Sequence, residues 1–438
     1  MICGFVFRHN IWLSRKGLLS GAKGMKVVIV APFWQQPHHV GVYRIDRFIR
    51  WLSVRKVQII LVLAGSSDQA QQMSWGMQII IRDPLGLYKD IVPGNTVSTP
   101  MRRPNRLRRL IANLIFNPDP TVVWARRAAG HPLVVEHGEG ADFVLSSNPP
   151  ESAHVASYLL AKRLHAKLIV DMRDGWLDEP LKPLLQYSSL QRLREGRLEN
   201  RILREANHIF VTSENWQLLL KQRLPFTGDK TTVLTNAYPP HTMKSCCYES
   251  KKTVPKRLTL IHAGRFSGSR NTQRVELLLK PLLCSILDME TKGNIVFIGR
   301  LEPSDLNEIA CWKPQFELAK WSLEVYPPVS RAEVIKHLHQ ADGLLLLSAS
   351  YAAIPSKLFE YLPTGKPILS LTPVDSAVCK LSKNIPQIFS LDYTQPLYDN
   401  CTVHGFISAC SAGIYNYEIP TDFTEDILSE TFYKGFQM

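Results

Sequence analysis

The sequence predicts an α/β protein of two Rossmann-like domains, each a parallel sheet wound with helices, facing each other across a cleft. Three observations carry this. Short β-branched, apolar runs alternate with helical patterns along most of the 438 residues. A polar, proline-broken stretch without periodicity, residues 238–256 (YPPHTMKSCCYESKKTVPK), divides two such series. The excess charge is confined to one side of that stretch. Residues 1–240 hold 32 of the 52 basic and 18 of the 38 acidic residues, so the net +14 lies there and the remainder is neutral. Halves with different electrostatics imply domains that face different partners.

Residues 1–24 read as a detachable extension. They are mildly apolar and basic without a cleavable-leader pattern, and Met25 stands directly before a strand, so either Met1 or Met25 could be the true start. Lys26–Pro32 (KVVIVAP) reads as a strand buried on both faces. Arg44–Leu52 reads as a helix, then Val57–Leu63, Asp142–Ser146, Lys167–Asp171, His208–Thr212 and Thr232–Leu234 as strands. Helical patterns cover Glu151–Leu164 and Leu190–Glu205. In the second series, strands are expected at Leu258–His262, Ile295–Ile298, Leu323–Tyr326, Gly343–Leu347 and Pro367–Leu371. Helices are expected at Thr272–Asp288, Arg331–His339 and Pro355–Leu362. The plan is thus an extension (1–24), a first domain (25–240), a linker (241–256), a second domain (257–410) and a C-terminal tail (411–438) in which Glu425–Phe436 could form a last helix.

Composition excludes several classes. Hydrophobic residues at 45% and charged residues at 21% describe an ordinary globular chain, not a disordered or collagenous one. Apolar runs such as Val27–Pro32 and Leu344–Leu347 fall far short of the ~18 residues a spanning helix needs. Eight cysteines with no CxxC argue against a zinc site or a disulfide framework and for reduced thiols in the cytoplasm. His38 and His39 are adjacent, would point oppositely on a strand and lack a third ligand. With no Asp-x-Asp either, neither a metal nor another cofactor is expected.

The most informative segment is Ile354–Leu369 (IPSKLFEYLPTGKPIL). Pro355 suits a first helical turn, where its missing N–H costs nothing. Lys357 and Glu360 are three apart, near the helix start. A helix N-terminus with a lysine suits a phosphate, and a carboxylate one turn on suits a ribose diol. The bland alternative is a surface i,i+3 ion pair.

This segment resembles the donor site of retaining glycosyltransferases of family 4, which have the two-domain GT-B fold. Other stretches, in the same order along the chain, resemble that family too: Asp142–Trp176, His262–Leu279, Val296–Arg300, Val325–Asp342 and, more weakly, Asn117–Trp124. The family resemblance covers roughly residues 26–385, and Asp142–Trp176 and Asn117–Trp124 are the stretches that resemble members building surface polysaccharides. The resemblance implies that Gly264, Lys357 and Arg265 or Arg270 meet the donor diphosphate and that Glu360 holds the nucleotide ribose. Gly41, in the loop after the first strand, would let the backbone approach phosphate or sugar. His154 would reach the cleft and contact the donor sugar. Asp174 would bind the acceptor or orient His154, while Asp171 and Arg173 would pair with each other and Trp176 would be structural. One position departs from the pattern. The family places a first glutamate eight residues before the second, and here that residue is Ala352, with Ser350 or Tyr351 as possible polar substitutes.

Arg102–Phe116 (RRPNRLRRLIANLIF) is the strongest electrostatic feature. Arg102, Arg103, Arg106, Arg108 and Arg109 flank apolar residues that share a helix face, the signature of an anionic membrane interface. A core-facing helix with a solvated basic face is the alternative. No aromatic platform or binding motif points to nucleic acid. Together with the basic segment, the family resemblance implies a metal-independent glycosyltransferase on the inner face of the cytoplasmic membrane, using a nucleotide sugar and a lipid-linked or other glycan acceptor. A sugar-nucleotide epimerase of the same fold and a degenerate, non-catalytic binding protein are the alternatives.

Overall fold

The computed structural model describes residues 24–35, 41–88, 116–179, 188–238, 257–266, 274–394, 400–413 and 417–437. In the first domain β1 (Lys26–Val30) leads to α1 (Gly41–Val54), β2 (Gln58–Gly65), β3 (Gln69–Met73) and β4 (Gly76–Arg82). Then come α2 (Val122–Gly130), α3 (Pro132–Gly138), β5 (Phe143–Asn148), α4 (Ser152–Leu164) and β6 (Lys167–Met172). The domain closes with α5 (Ser189–Glu205), β7 (His208–Val211), α6 (Glu214–Arg223) and β8 (Thr231–Val233). The strands order as β3-β4-β2-β1-β5-β6-β7-β8, all parallel except β3 against β4.

The second domain runs β9 (Leu258–Ala263), α7 (Val275–Asp288), β10 (Gly293–Ile298), α8 (Pro303–Leu318), β11 (Trp321–Tyr326), α9 (Arg331–Gln340) and β12 (Gly343–Leu347). It continues through α10 (Leu358–Tyr361), β13 (Ile368–Leu371), α11 (Ala377–Ser382), β14 (Ile388–Leu391) and α12 (Asn400–Ala412). Its parallel order, β11-β10-β9-β12-β13-β14, is the Rossmann order. A last helix, α13 (Glu425–Lys434), returns to the first domain.

Local chemistry accounts for these elements. β1, β5 and β12 are buried almost end to end because helices cover both faces of the sheets. α1 buries Ile45, Phe48, Ile49 and Leu52 at helical spacing. Ser188 and Ser213 cap α5 and α6 through the N–H groups of Gln191 and Trp216. Ser330 and Glu333 form a reciprocal capping box on α9.

The sequence did not foresee β3 or β4. β3 is a polar edge strand (QAQQM) and carries no apolar alternation. It also missed α8, whose signals are Pro303 at the first position and the Glu302–Asp305 capping box. The expected boundary at 410 falls inside α12, which packs with α7 in the second core; the chain crosses back only after it. The extension and the linker lie outside the described residues, apart from Gly24.

Candidate active site

Strand order reverses between β1 and β5 in one sheet and between β9 and β12 in the other. Loops leaving the carboxyl ends of such strands form the ligand crevice of doubly wound sheets. The segments with Gly41, His154, Gly264 and Lys357 follow these four strands, whereas Asp171–Trp176 leaves the neighbouring β6.

In the second domain β9 is followed directly by Gly264, whose φ of +102° is a conformation only glycine adopts readily. Its N–H donates to the Ile298 carbonyl at 2.7 Å. Lys357 reaches over this turn, its Nζ 3.3 Å from His262 Nε2 and 3.4 Å from the Arg265 carbonyl. His262 Nδ1 lies 3.0 Å from the Leu345 carbonyl, so Nδ1 carries the proton and Nε2 accepts from the lysine. Burial and the neighbouring ammonium push His262 well below its usual range. Burial also lowers Lys357 to about 8, against the opposing pull of Glu360. Arg265 is exposed at the rim, and Arg270 lies outside the described residues.

Pro355 is not in the helix as the sequence suggested. The chain turns first, the Leu358 N–H bonding the Pro355 carbonyl, and Lys357 takes the N-cap position of a single-turn helix. Tyr361, fully buried, accepts from the Ala263 N–H at 2.9 Å and ties that turn to β9. Lys357 and Glu360 have separate partners rather than forming the i,i+3 pair. Glu360 Oε1 accepts from Arg331 Nη2 at 2.8 Å. Burial raises the Glu360 carboxyl, opposed by Arg331 and Lys357. The Arg331 guanidinium also lies 4.3 Å from the Tyr43 ring, on the first turn of α1 in the opposite domain. Tyr43, Arg331 and His262 thus belong to the site, although only the pattern around them was read from the sequence.

The first-domain side corrects several expectations. Gly41 begins α1 rather than lying in a loop, and a Cβ there would collide with the Arg173 guanidinium, which also stacks on Phe33 at 5.3 Å. The close approach that glycine permits is therefore made by a side chain of the protein itself. Asp171 does not bond Arg173. It takes a bidentate bond from Arg44 at 2.6 and 2.8 Å and a third from Ser147 at 2.7 Å, all buried, because α1 crosses above the end of β6. Arg173 instead bonds Asn148.

His154 does not reach the cleft. It is fully buried, its Nδ1 2.8 Å from Ser146 Oγ and its ring 5.7 Å from that of Trp176. Nε2 is buried without a hydrogen-bond partner among the described residues. Burial drives its pKa down to about 3, so the imidazole is neutral. Nor does Asp174 orient it, since Ser146 does. Asp174 is half-buried, and its carbonyl accepts from Asn148 at 3.2 Å. Trp176 is fully buried, in line with a structural role.

Ala352 has a clear place. It is buried in the core cluster of the first domain, and its carbonyl accepts from Ser213 Oγ at 2.6 Å. Asn215 Nδ2 donates to the Tyr351 and Asp375 carbonyls, and its Oδ1 accepts from Lys380. The loop between β12 and α10 is thereby fastened to the first domain. A glutamate at this position would place its carboxylate in an apolar contact. Ser350 is buried and caps the Ala353 N–H, so it does not face the cleft. His38, His39 and the arginines at 102, 103, 106, 108 and 109 lie outside the described residues. Among the described residues no group of three His, Cys, Asp or Glu is placed to hold a metal ion.

Comparisons with known proteins agree with this architecture. No curated protein matches the chain by sequence. A structure of a trehalose-6-phosphate protein from E. coli bound with UDP-2-fluoro glucose superposes with a TM-score of 0.57 at 10% identity, covering 94% of this chain and 99% of that one. The UDP-forming α,α-trehalose-phosphate synthase of Burkholderia xenovorans gives a TM-score of 0.56 at 7% identity, with 95% and 100% covered. The corresponding Burkholderia multivorans synthase gives 0.55 at 6%, with 95% and 98% covered. These likenesses establish a glycosyltransferase-like GT-B fold. Within that fold, residues 42–237 match the family described as the glycosyl transferase 4-like domain.

Proposed function

We propose that the protein is a glycosyltransferase that moves a sugar from a nucleotide-diphosphate sugar to a glycan acceptor with retention of configuration. One observation carries this reading. Gly264, Lys357 and Glu360 converge at the strand-order reversal of the second sheet. They form a cation over a glycine turn, one helical turn from a half-buried carboxylate. Lys357, with Arg265 at the rim, would neutralise the leaving diphosphate, and Glu360 would accept from the ribose diol. The bond between the anomeric carbon and the phosphate oxygen breaks as the acceptor oxygen bonds that carbon on the same face. The departing phosphate takes the acceptor proton. Side chains rather than a metal supply the positive charge.

The match of the first domain to the glycosyl transferase 4-like family supports this assignment, and the UDP-sugar in the similar E. coli structure supports the donor class. We further infer a lipid-linked acceptor, work in surface-polysaccharide assembly and a peripheral position on the inner membrane face. The basic first domain is the support, and no described helix is long and apolar enough to cross a membrane.

A second reading, a degenerate protein that binds nucleotide without transfer, is favoured by Ala352 and the enclosed His154. A thermal-shift panel of nucleoside diphosphates and their sugar conjugates tests both. Ligand at a hundred times Kd should stabilise the wild type by about 2.7 kcal/mol and leave Glu360→Ala unmoved. A panel that shifts neither protein overturns the donor site. A nucleotide that shifts the wild type, without donor turnover on any acceptor or by hydrolysis, selects the second reading.

A further inference from the structure

α5 presents a surface that the donor-site reading does not use. Leu190, Leu193, Arg197, Arg201 and Arg204 recur at helical spacing and are all exposed, the two leucines by 54% and 51%. Arg192, also exposed, stands beside this stripe. The helix carries five arginines, and its acids are turned away or engaged. Glu195 and Glu199 are buried. Both Glu199 oxygens bond Arg223, at 2.6 and 2.8 Å, and Glu205 pairs with Lys162 at 3.1 Å. Alongside runs an open groove of about 860 Å³ lined by Leu177, Arg192, Leu193, Arg197, Arg201 and Arg204.

We propose that this face of α5 docks the protein on an anionic lipid bilayer. Guanidinium groups match lipid phosphates by charge and by hydrogen-bonding geometry. Leu190 and Leu193, at the helix start, supply the apolar contact that a purely ionic partner would leave in water. A nucleic acid is disfavoured by the same surface. It would waste both leucines, and the adjacent ring, Phe226, is covered by Arg204 at 4.3 Å and Lys230 at 5.5 Å rather than open for base stacking. The inference rests on the reading of the protein as a membrane-associated glycosyltransferase and assigns the docking surface to a helix distinct from the arginine-rich segment at 102–116.

The test is co-sedimentation of the full chain with vesicles of phosphatidylcholine containing one third phosphatidylglycerol, against phosphatidylcholine alone. The wild type should bind the anionic vesicles and weaken as salt rises. The triple variant Arg192→Gln, Arg197→Gln, Arg201→Gln should bind roughly a hundredfold more weakly, about fivefold for each charge lost near the surface. Leu190→Ser with Leu193→Ser should also weaken binding while leaving the salt dependence in place. Thermal midpoints close to wild type confirm that these exposed changes leave the fold intact.

The proposal is overturned if the wild type ignores anionic vesicles, or if the triple variant binds as the wild type does while replacing the five arginines at 102–109 abolishes binding. A single-stranded oligonucleotide that displaces the protein from vesicles at equal phosphate also overturns it. Nucleotide stabilisation in the thermal-shift panel needs no membrane, so failure here and failure of the donor site are read separately.

Discussion

At the residue scale, the site is a set of buried charges that the fold must hold in place. Arg44 and Asp171 are almost wholly enclosed, and each satisfies the other, so removing either would strand a buried charge. Lys357 is different, because its ammonium lies over the Gly264 turn without a carboxylate bonded to it and its pKa is lowered to about 8 by burial. Below that value the amine is charged, and above it the cation is lost. Affinity for a nucleoside diphosphate should therefore fall as pH rises through about 8. Calorimetric titration across that range checks the expectation, and Lys357→Arg should remove the fall because arginine stays charged. A flat wild-type profile would show that Lys357 does not meet the phosphates.

At the scale of elements, α13 shows how the chain ends stabilise its beginning. Phe432 stacks on Phe48 at 4.5 Å and on Phe210 at 5.6 Å, and Phe436 meets Phe143 edge-on at 5.0 Å. Outside this apolar contact, Glu425 bonds Arg50 at 2.5 Å, and Arg55 pairs with Glu430 and lies 4.0 Å from the Tyr433 ring. The helix thus covers the first sheet beside α1, against Phe143 of β5 and Phe210 of β7. Phe432→Ala should cost about 3–5 kcal/mol by opening a cavity between α1, β7 and α13. Urea denaturation followed by tryptophan fluorescence measures it. A loss near zero would mean that α13 is a surface appendage.

At the scale of the molecule, the two domains are bridged by two separate sets of contacts. Tyr43 and Arg331 meet across the crevice beside Glu360. Ser213 and Asn215 fasten the loop that carries Ala352. Domains joined by modest polar contacts usually move relative to one another. Asn215→Ala removes the donor to the Tyr351 and Asp375 carbonyls and the acceptor of Lys380, although the Tyr351 carbonyl keeps the Ala377 N–H. It should lower stability by about 1–3 kcal/mol and raise the radius of gyration measured by small-angle scattering. Unchanged scattering would place the restraint in the return of α13 instead.

What was legible in the sequence was local. Continuous apolar runs mark strands buried on both faces, and helical spacing marks their covers, so the two parallel sheets follow from short stretches read alone. Lys357 and Glu360 stood out by their spacing within one loop–helix segment, and Gly264 through the family resemblance of His262–Leu279. The tertiary structure decided their partners. Arg331 reaches Glu360, Tyr43 reaches Arg331, and Arg44 displaces Arg173 from Asp171 across 127 residues of chain. It also enclosed His154 and gave Ala352 its place between the domains. Burial and ion pairing depend on which surfaces meet after the sheets have formed, and no periodicity along the chain encodes that meeting.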